Sequence, residues 1–158
     1  MPIMKPNKNE ILTDIIIDYD RWKKHPELEY AISLAVKKTL QLTNNNNNFD
    51  EISVYLTSDK TIIELNKKYR GLNEPTNILS FTSTEPHLGD LILSYDYINQ
   101  ELKTYKKKFK AHITHLTIHG VLHLLGFDHE HDLAALEMER HEIRILKELG
   151  YNNPYETK

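Results

Sequence analysis

The segment around which this chain is built reads His119-Gly120-Val121-Leu122-His123-Leu124-Leu125-Gly126-Phe127-Asp128-His129. His119 and His123 are four residues apart, so on an α-helix their side chains project from one face, one turn apart. Two imidazoles placed in this way can share one metal ion. Gly126 stands where the helix is expected to end, because glycine adopts the left-handed conformation at no steric cost. The chain can then turn back and bring His129 to the same ion.

The spacing His-x3-His-x2-Gly-x2-His is the zinc-binding spacing of the metzincins. Three histidine ligands with a fourth position open indicate a catalytic site, since structural zinc sites normally take four protein ligands. The pattern therefore predicts one Zn²⁺ per chain on His119, His123 and His129, and another divalent metal would suit the same donors. The alternative is that His119 and His123 are core histidines of an apolar helix, which leaves the match to the whole template unexplained.

Gly120 separates this motif from that of the zinc proteases, which carry a Glu directly after the first histidine as general base. A bound Zn²⁺ can lower the pKa of a water from 15.7 to roughly 7 without that carboxylate. A metalloprotease-like amide hydrolase is therefore an alternative that the spacing favours and Gly120 opposes.

Length and composition restrict the class of protein. With 158 residues, of which 39% are hydrophobic, we expect one domain over residues 1–158. The net charge of -3 argues against a polycation that coats nucleic acid, so any RNA contact must use local basic patches. The absence of cysteine excludes disulfides and thiolate ligands. No apolar run reaches the roughly 20 residues of a membrane span, and the N-terminus lacks a signal-peptide core, so we predict a cytoplasmic protein without membrane contact.

Hydrophobic periodicity predicts the secondary structure. Four strands are expected at residues 11–18, 52–57, 77–81 and 90–94, the last two forming a hairpin. Helices are expected at residues 28–42, 59–70, from 95 to a break near 106–108, 112–125 and 133–149. The sequence therefore predicts an α+β fold, a small four-stranded mixed sheet covered by about five helices, with the metal motif on a helix in the C-terminal half.

Local details extend this prediction. Asp96 is a candidate cap for the third helix, and Ser58 or Asp59 for the second. Turns are expected at residues 73–75 and 86–89, and the asparagine run at residues 44–48 is expected to be an exposed loop. The last helix is expected to pack through Leu133, Leu136, Ile143, Leu146 and Leu149.

Three further blocks accompany the histidine motif. They are residues 65–71 with 75–81, residues 88–94, and residues 149–151 with Pro154 and Tyr155. Together with His119–His129 they make the chain closely similar to the YbeY-type endoribonucleases, the bacterial rRNA maturation factor family, from about the first strand to the C-terminus. Members of that family also lack Glu after the first histidine. They usually carry Asp where this chain has Asn77. If the charge of that Asp orders the loop around Arg70, this ordering is weaker here.

The resemblance implies a zinc-dependent endoribonuclease that cuts single-stranded RNA in 16S rRNA 3′-end maturation and ribosome quality control. Its expected partners are rRNA and the ribosome or its small-subunit components, without DNA. Arg70 and His119 are the implied catalytic residues. The Arg70 guanidinium offers forked donors to two phosphate oxygens. The alternative is that its positive charge only caps the preceding helix by interacting with the dipole at the helix C-terminus. A third possibility is a ribosome assembly factor whose metal is mainly structural. This alternative predicts that replacement of His123 unfolds the domain.

Lysines flank both parts of the expected site. They can attract an RNA backbone without reading its sequence, or simply form a solvated surface. They are Lys67, Lys68, Lys103, Lys106, Lys107, Lys108 and Lys110.

The remaining histidines receive no catalytic role from the sequence. His115 lies on the face of His119 but too far along a straight helix to share its ion, so we expect it to pack nearby or to contact a ligand. His112, His131 and His141 are expected at the surface, and His25 and His87 in turns beside prolines. Asp128 can orient a ligand imidazole or shape the turn into His129.

Overall fold

The computed structural model describes residues 10–46 and 48–156 of the chain. The N-terminal residues, for which no signal peptide was predicted, and Asn47 of the asparagine run lie outside this part. Within it the strands are β1 (Leu12–Ile17), β2 (Glu51–Thr57), β3 (Ile78–Thr82) and β4 (His87–Ser94). The α-helices are α1 (Leu28–Leu42), α2 (Asp59–Arg70), α3 (Tyr95–Tyr105), α4 (Phe109–Leu124) and α5 (Asp132–Glu148), with a short 3₁₀ helix at Asp20–Lys24.

The four strands form one mixed sheet in the order β1-β2-β4-β3. β1, β2 and β4 are parallel, whereas β3 pairs with β4 as an antiparallel hairpin in which Ile78 faces Leu93. The prediction of a small mixed sheet with a terminal hairpin and five α-helices is therefore confirmed over the described residues.

Both faces of the sheet are covered by helices. Neighbouring residues of a strand point to opposite faces, so the sheet contributes to two separate apolar clusters. Val54, Leu91 and Leu93 pack in the main core together with residues of α1 and α4. On the opposite face, Ile92 packs with Ile62 of α2. This arrangement places α4 directly behind the hairpin.

Helix α4 is the central helix of the fold. It is buried on nearly all sides, which explains the continuous apolar character of its sequence. Ile118 and Leu122 of α4 pack against Met138, Ile145 and Leu146 of α5. The metal motif thus lies between the β3-β4 hairpin and α5.

Two local predictions, of a turn and of a helix cap, were wrong. β4 begins at His87, so residues 87–89 are strand rather than turn and His87 bonds to Ser53 (3.1 Å). Ser94, not Asp96, is the N-cap of α3; the Asp96 carboxylate instead accepts from the backbone N–H of Asp59, where α2 begins (3.1 Å).

The packing face of α5 was also misassigned in part. Leu133 is 83% exposed and Leu136 is 49% exposed, because the face that meets α4 begins only at Met138. Within the described residues, no helix has the length and apolar character that crossing a membrane requires.

Candidate metal centre

The end of α4 sets the direction in which the chain leaves the first two histidines. Gly126 has a φ of 99°, a left-handed value that favours glycine. The N–H of Phe127 donates to the carbonyl of Leu122, and that of Gly126 to the carbonyl of His123, both at 3.0 Å. These two bonds form a Schellman motif, which stops the helix and turns the chain back. The turn carries His129 towards the helix face that it has just left.

The three predicted ligands converge. One nitrogen of each of His119, His123 and His129 lies within 4.8 Å of the others, with the first two rings half-buried and the third exposed. The Nε2 atoms of His119 and His123 are 3.0 Å apart. Bonds of about 2.0 to 2.1 Å to one zinc ion bring two imidazole nitrogens to a similar separation. The arrangement therefore fits a single metal ion held by all three histidines.

The other ring nitrogens have acceptors that fix the tautomer. Nδ1 of His119 donates to the Glu142 carboxylate (2.5 Å), and Nδ1 of His123 donates to the carbonyl of Phe127 (3.1 Å). Each ring therefore directs the lone pair of Nε2 at the other ring, and two such lone pairs repel unless a cation lies between them. This pattern of outer acceptors is typical of metal-binding histidines.

The protonation of these groups also suits a metal. Burial, together with the neighbouring His119 and His129, lowers the pKa of His123 to about 4, so this imidazole is neutral at pH 7. Burial alone would raise the pKa of Glu142, but hydrogen bonds from His115, His119 and Tyr155 outweigh it and lower the pKa to about 2. Glu142 is thus a carboxylate throughout the physiological range.

Glu142 is the residue of this site that the sequence analysis missed. Its side chain is fully buried and accepts from groups of α4 and of the C-terminal segment, including the Tyr155 hydroxyl. A signal was available: Met138, Glu142, Ile145 and Leu146 follow helical spacing, so an acidic residue occupies the apolar face of α5. His115, expected to pack near the site, is 9% exposed and lies 3.4 Å from the same carboxylate.

Gly120 faces the sheet rather than the metal centre. A Cβ atom at this position would lie 2.8 Å from both Ile78 and Leu91, which is closer than atoms of a packed core approach. The Glu that zinc proteases carry after the first histidine has no room here, and this observation weighs against the amide-hydrolase alternative.

Arg70 lines the same cleft as the three histidines, a cavity of about 540 Å³ whose walls also include Thr76, Asn77 and Ser80. It is the last residue of α2, where Gly71 (φ 69°) ends the helix. The backbone N–H groups of Gly71 and Leu72 donate to the carbonyls of Lys67 and Asn66 in the last turn of α2. The guanidinium carbon lies 6.0 Å from the centre of the Phe81 ring, and no described residue hydrogen-bonds to the guanidinium. Arg70 is therefore exposed in the cleft and available to an anion.

Asn77, the departure from the family pattern, has its own partners. Its side-chain amide donates to Glu101 (3.2 Å), and Oδ1 accepts from the N–H of Ile78 (2.7 Å). An aspartate cannot donate to Glu101, so the asparagine fits this acidic neighbour. His112, expected at the surface, is instead 5% exposed and shares the Glu101 carboxylate (3.1 Å), because α3 packs over it.

The remaining candidates lie outside the cluster of donors. Asp128 accepts from the N–H of Glu130 (3.2 Å), so it shapes the turn around His129. His131 is exposed, and His141 packs on the Phe127 ring with centres 4.8 Å apart. His25 lies at the end of the 3₁₀ helix, before Pro26.

The donor set matches the coordination preferences of zinc and similar divalent ions: three imidazoles, fixed tautomers of His119 and His123, and an open side facing a cleft. His119, His123 and His129 are the residues that would hold the ion. When bound, it supplies Lewis acidity, which polarises a phosphoryl oxygen or acidifies a water molecule.

Comparison with known proteins identifies relatives along most of the chain. The sequence model of the family described as Endoribonuclease YbeY matches residues 15–150. The chain is 37% identical to the Endoribonuclease YbeY of Bradyrhizobium diazoefficiens over 155 residues, with 91% of this chain and 85% of that protein covered. It is 36% identical to the protein of the same description from Gluconobacter oxydans, with 96% and 92% covered.

A solved structure shares the fold. The solution structure of TM1509 from Thermotoga maritima superposes with a TM-score of 0.55 at 21% identity, covering 92% of this chain and all of that one. Because the family model covers most of the chain and the named relatives are more than a third identical, this protein belongs to the endoribonuclease YbeY family.

Proposed function

We propose that this chain, as a single domain over residues 1–158, is a zinc-dependent endoribonuclease that cuts single-stranded RNA. The proposed biological role is 16S rRNA 3′-end maturation and ribosome quality control in the cytoplasm, with the small ribosomal subunit or its components as partner. The metal ligands are His119, His123 and His129, and the catalytic residues are Arg70 and His119.

The observation that carries the proposal is the shared cleft of Arg70 and the three histidines. A phosphodiester brings negative charge, and the transition state of its cleavage adds to that charge. A guanidinium and a cationic centre in one cleft stabilise such charge from two sides. The unstacked nucleotides of a single strand can enter such a cleft, whereas the bases of a stiff duplex stay stacked and paired.

The decisive experiment combines metal analysis with cleavage. The purified protein is expected to contain about one zinc ion per chain and to cut a single-stranded RNA but not its duplex. Chelation should abolish cleavage, and added zinc should restore it. A protein that retains its metal yet leaves RNA intact would support the assembly-factor alternative, and cleavage of a peptide substrate in the same preparation would support the amide hydrolase.

Replacement of Arg70 by Lys tests the phosphate contact. Lysine keeps the charge but cannot offer the forked pair of donors, and a hydrogen bond to a charged group contributes about 1.5 to 3 kcal/mol. We expect kcat/KM for single-stranded RNA to fall about 10- to 100-fold with unchanged zinc content. Arg140→Lys, at an exposed position on α5, is the matched control. Full activity of the Arg70 variant would remove this residue from the mechanism.

The lysines ahead of α4 give a separate prediction. Lys106 and Lys108 are exposed and Lys107 is half-buried. Each phosphate contact on a single strand contributes about 0.7 to the slope of log affinity against log salt concentration. Neutralising all three should therefore reduce that slope by up to about 2, as measured by RNA binding at several salt concentrations. An unchanged slope would show that these lysines form only a solvated surface.

A further inference from the structure

A second cavity, of about 410 Å³, adjoins the metal cleft and is given no role by the proposed reaction. Arg70 and Thr76 line both cavities, so the two lie next to each other at these residues. A polymer whose phosphate lies at Arg70 would extend from one cavity into the other.

Hydrogen bonds to the buried residue Asn66 hold the wall of the second cavity in place. The N–H of Leu72 donates to the carbonyl of Asn66 (3.3 Å), and the Asn66 side-chain amide donates to the carbonyl of Glu74 (2.9 Å). Asn66 is only 3% exposed, which fixes these anchors. Its Oδ1 has no partner among the described residues, and a buried acceptor is costly when neither ligand nor water satisfies it. The loop from 71 to 74 is thus preformed around an unsatisfied polar group.

The exposed side chains of this cavity combine aromatic, apolar and acidic character. Tyr97, in the first turn of α3, is 36% exposed, and Leu72 is 47% exposed. Glu74 adds an exposed carboxylate to the same wall. A carboxylate repels a phosphate but accepts hydrogen bonds from ring and amino N–H groups. The second cavity therefore favours the flat, N–H-bearing part of a nucleotide, and Arg70 at its edge favours the anionic part.

We propose that the second cavity is a nucleobase subsite. The phosphate of the bond that is cut lies at Arg70, and the base of the nucleotide on the side away from the histidines enters the cavity, stacks on Tyr97 and presents N–H groups to Glu74. Stacking of unpaired bases on aromatic rings is the usual way in which proteins hold single-stranded RNA. The subsite rests on the proposed function and adds to it a reason for single-strand preference, since a base within a duplex cannot enter.

The test uses single-stranded RNAs that carry one abasic ribose, placed in turn at each position around the mapped cut. For the wild type, one such position within a few nucleotides of the cut should lower kcat/KM about 5- to 150-fold, the range that loss of one aromatic–base stack produces. Tyr97→Ala should lower kcat/KM on the intact RNA by a similar factor, and the abasic substitution should then add nothing. Zinc content should not change.

Three further variants make the result specific. Tyr97→Phe keeps the stacking ring and should still show the wild-type abasic penalty, whereas Tyr97→Leu keeps the apolar bulk without the ring and should behave as the alanine variant. Tyr30→Ala removes a tyrosine of α1 that is 72% exposed and should have no effect.

Two outcomes would overturn the proposal of a nucleobase subsite, and only the second would also overturn the proposed function. If the wild type cuts the intact RNA but the abasic penalty is the same in Tyr97→Ala, the subsite is wrong and the proposed function stands. If the zinc-loaded wild type cuts no single-stranded RNA, the proposed function fails and the subsite fails with it.

Discussion

Replacement of His123 by Ala is expected to abolish zinc binding and to lower RNA cleavage more than about 100-fold, while the fold persists. Loss of an outer partner of a metal ligand already costs 10- to 100-fold, so loss of a ligand should cost more. The fold should persist because His123 is half-buried and the apolar clusters on both sides of α4 form without it. Metal analysis, cleavage of single-stranded RNA and circular dichroism measure the three quantities.

His131→Ala is the matched control, because His131 is exposed and lies outside the cluster of metal donors. This variant should keep both zinc and activity. Unfolding of the His123 variant would instead indicate that the metal is mainly structural, as the assembly-factor alternative requires.

Replacement of Glu142 should affect both the metal centre and the stability of the fold. Glu142→Ala leaves ring N–H groups of His119 and His115 and the hydroxyl of Tyr155 without the buried carboxylate that accepts from them. A buried donor left without its acceptor costs about 1 to 3 kcal/mol, so we expect the free energy of unfolding to fall by at least that order. Denaturant unfolding measures this change.

Glu142→Gln separates the two effects. The amide keeps the shape of the side chain but has only one acceptor oxygen, so the orientation and basicity of His119 are weakened. We expect zinc affinity to fall 10- to 100-fold in a competition titration with a chelator. Glu148→Gln, an exposed position on the same helix, is the control. Unchanged zinc affinity would show that Glu142 serves the fold alone.

The lowered pKa of Glu142 adds a pH dependence to the metal-free protein. Because the folded protein holds this pKa near 2, below the ordinary value of 4.5, the ionised carboxylate stabilises the fold at pH values above 4.5. That contribution is lost as the pH falls from 4.5 towards 2. The difference in thermal midpoint between wild type and Glu142→Gln should therefore be constant from pH 5 to 7 and should narrow in acid. A constant difference down to pH 3 would contradict this prediction.

The elements of the fold could be predicted from the sequence because their signals are local. β1 and α1 occur within a residue of the predicted bounds, since a run of β-branched residues and helical spacing are both properties of neighbours along the chain. The predictions failed where a distant element intervened. Residues 87–89 form a strand because His87 pairs with Glu51 of β2 and Gly89 pairs with Thr82 of β3. Asp96 serves α2 rather than α3 because the two helices begin side by side.

Within the candidate site, the sequence alone determined the three donors, because a four-residue helical step and a glycine turn fix the positions of His119, His123 and His129 through bonds along one short segment. Only the tertiary structure decided their surroundings. Glu142 reaches His119 through the packing of α5 on α4, and Arg70 enters the cleft from the end of α2. Such contacts depend on how helices and sheet pack, which no periodicity within one segment records.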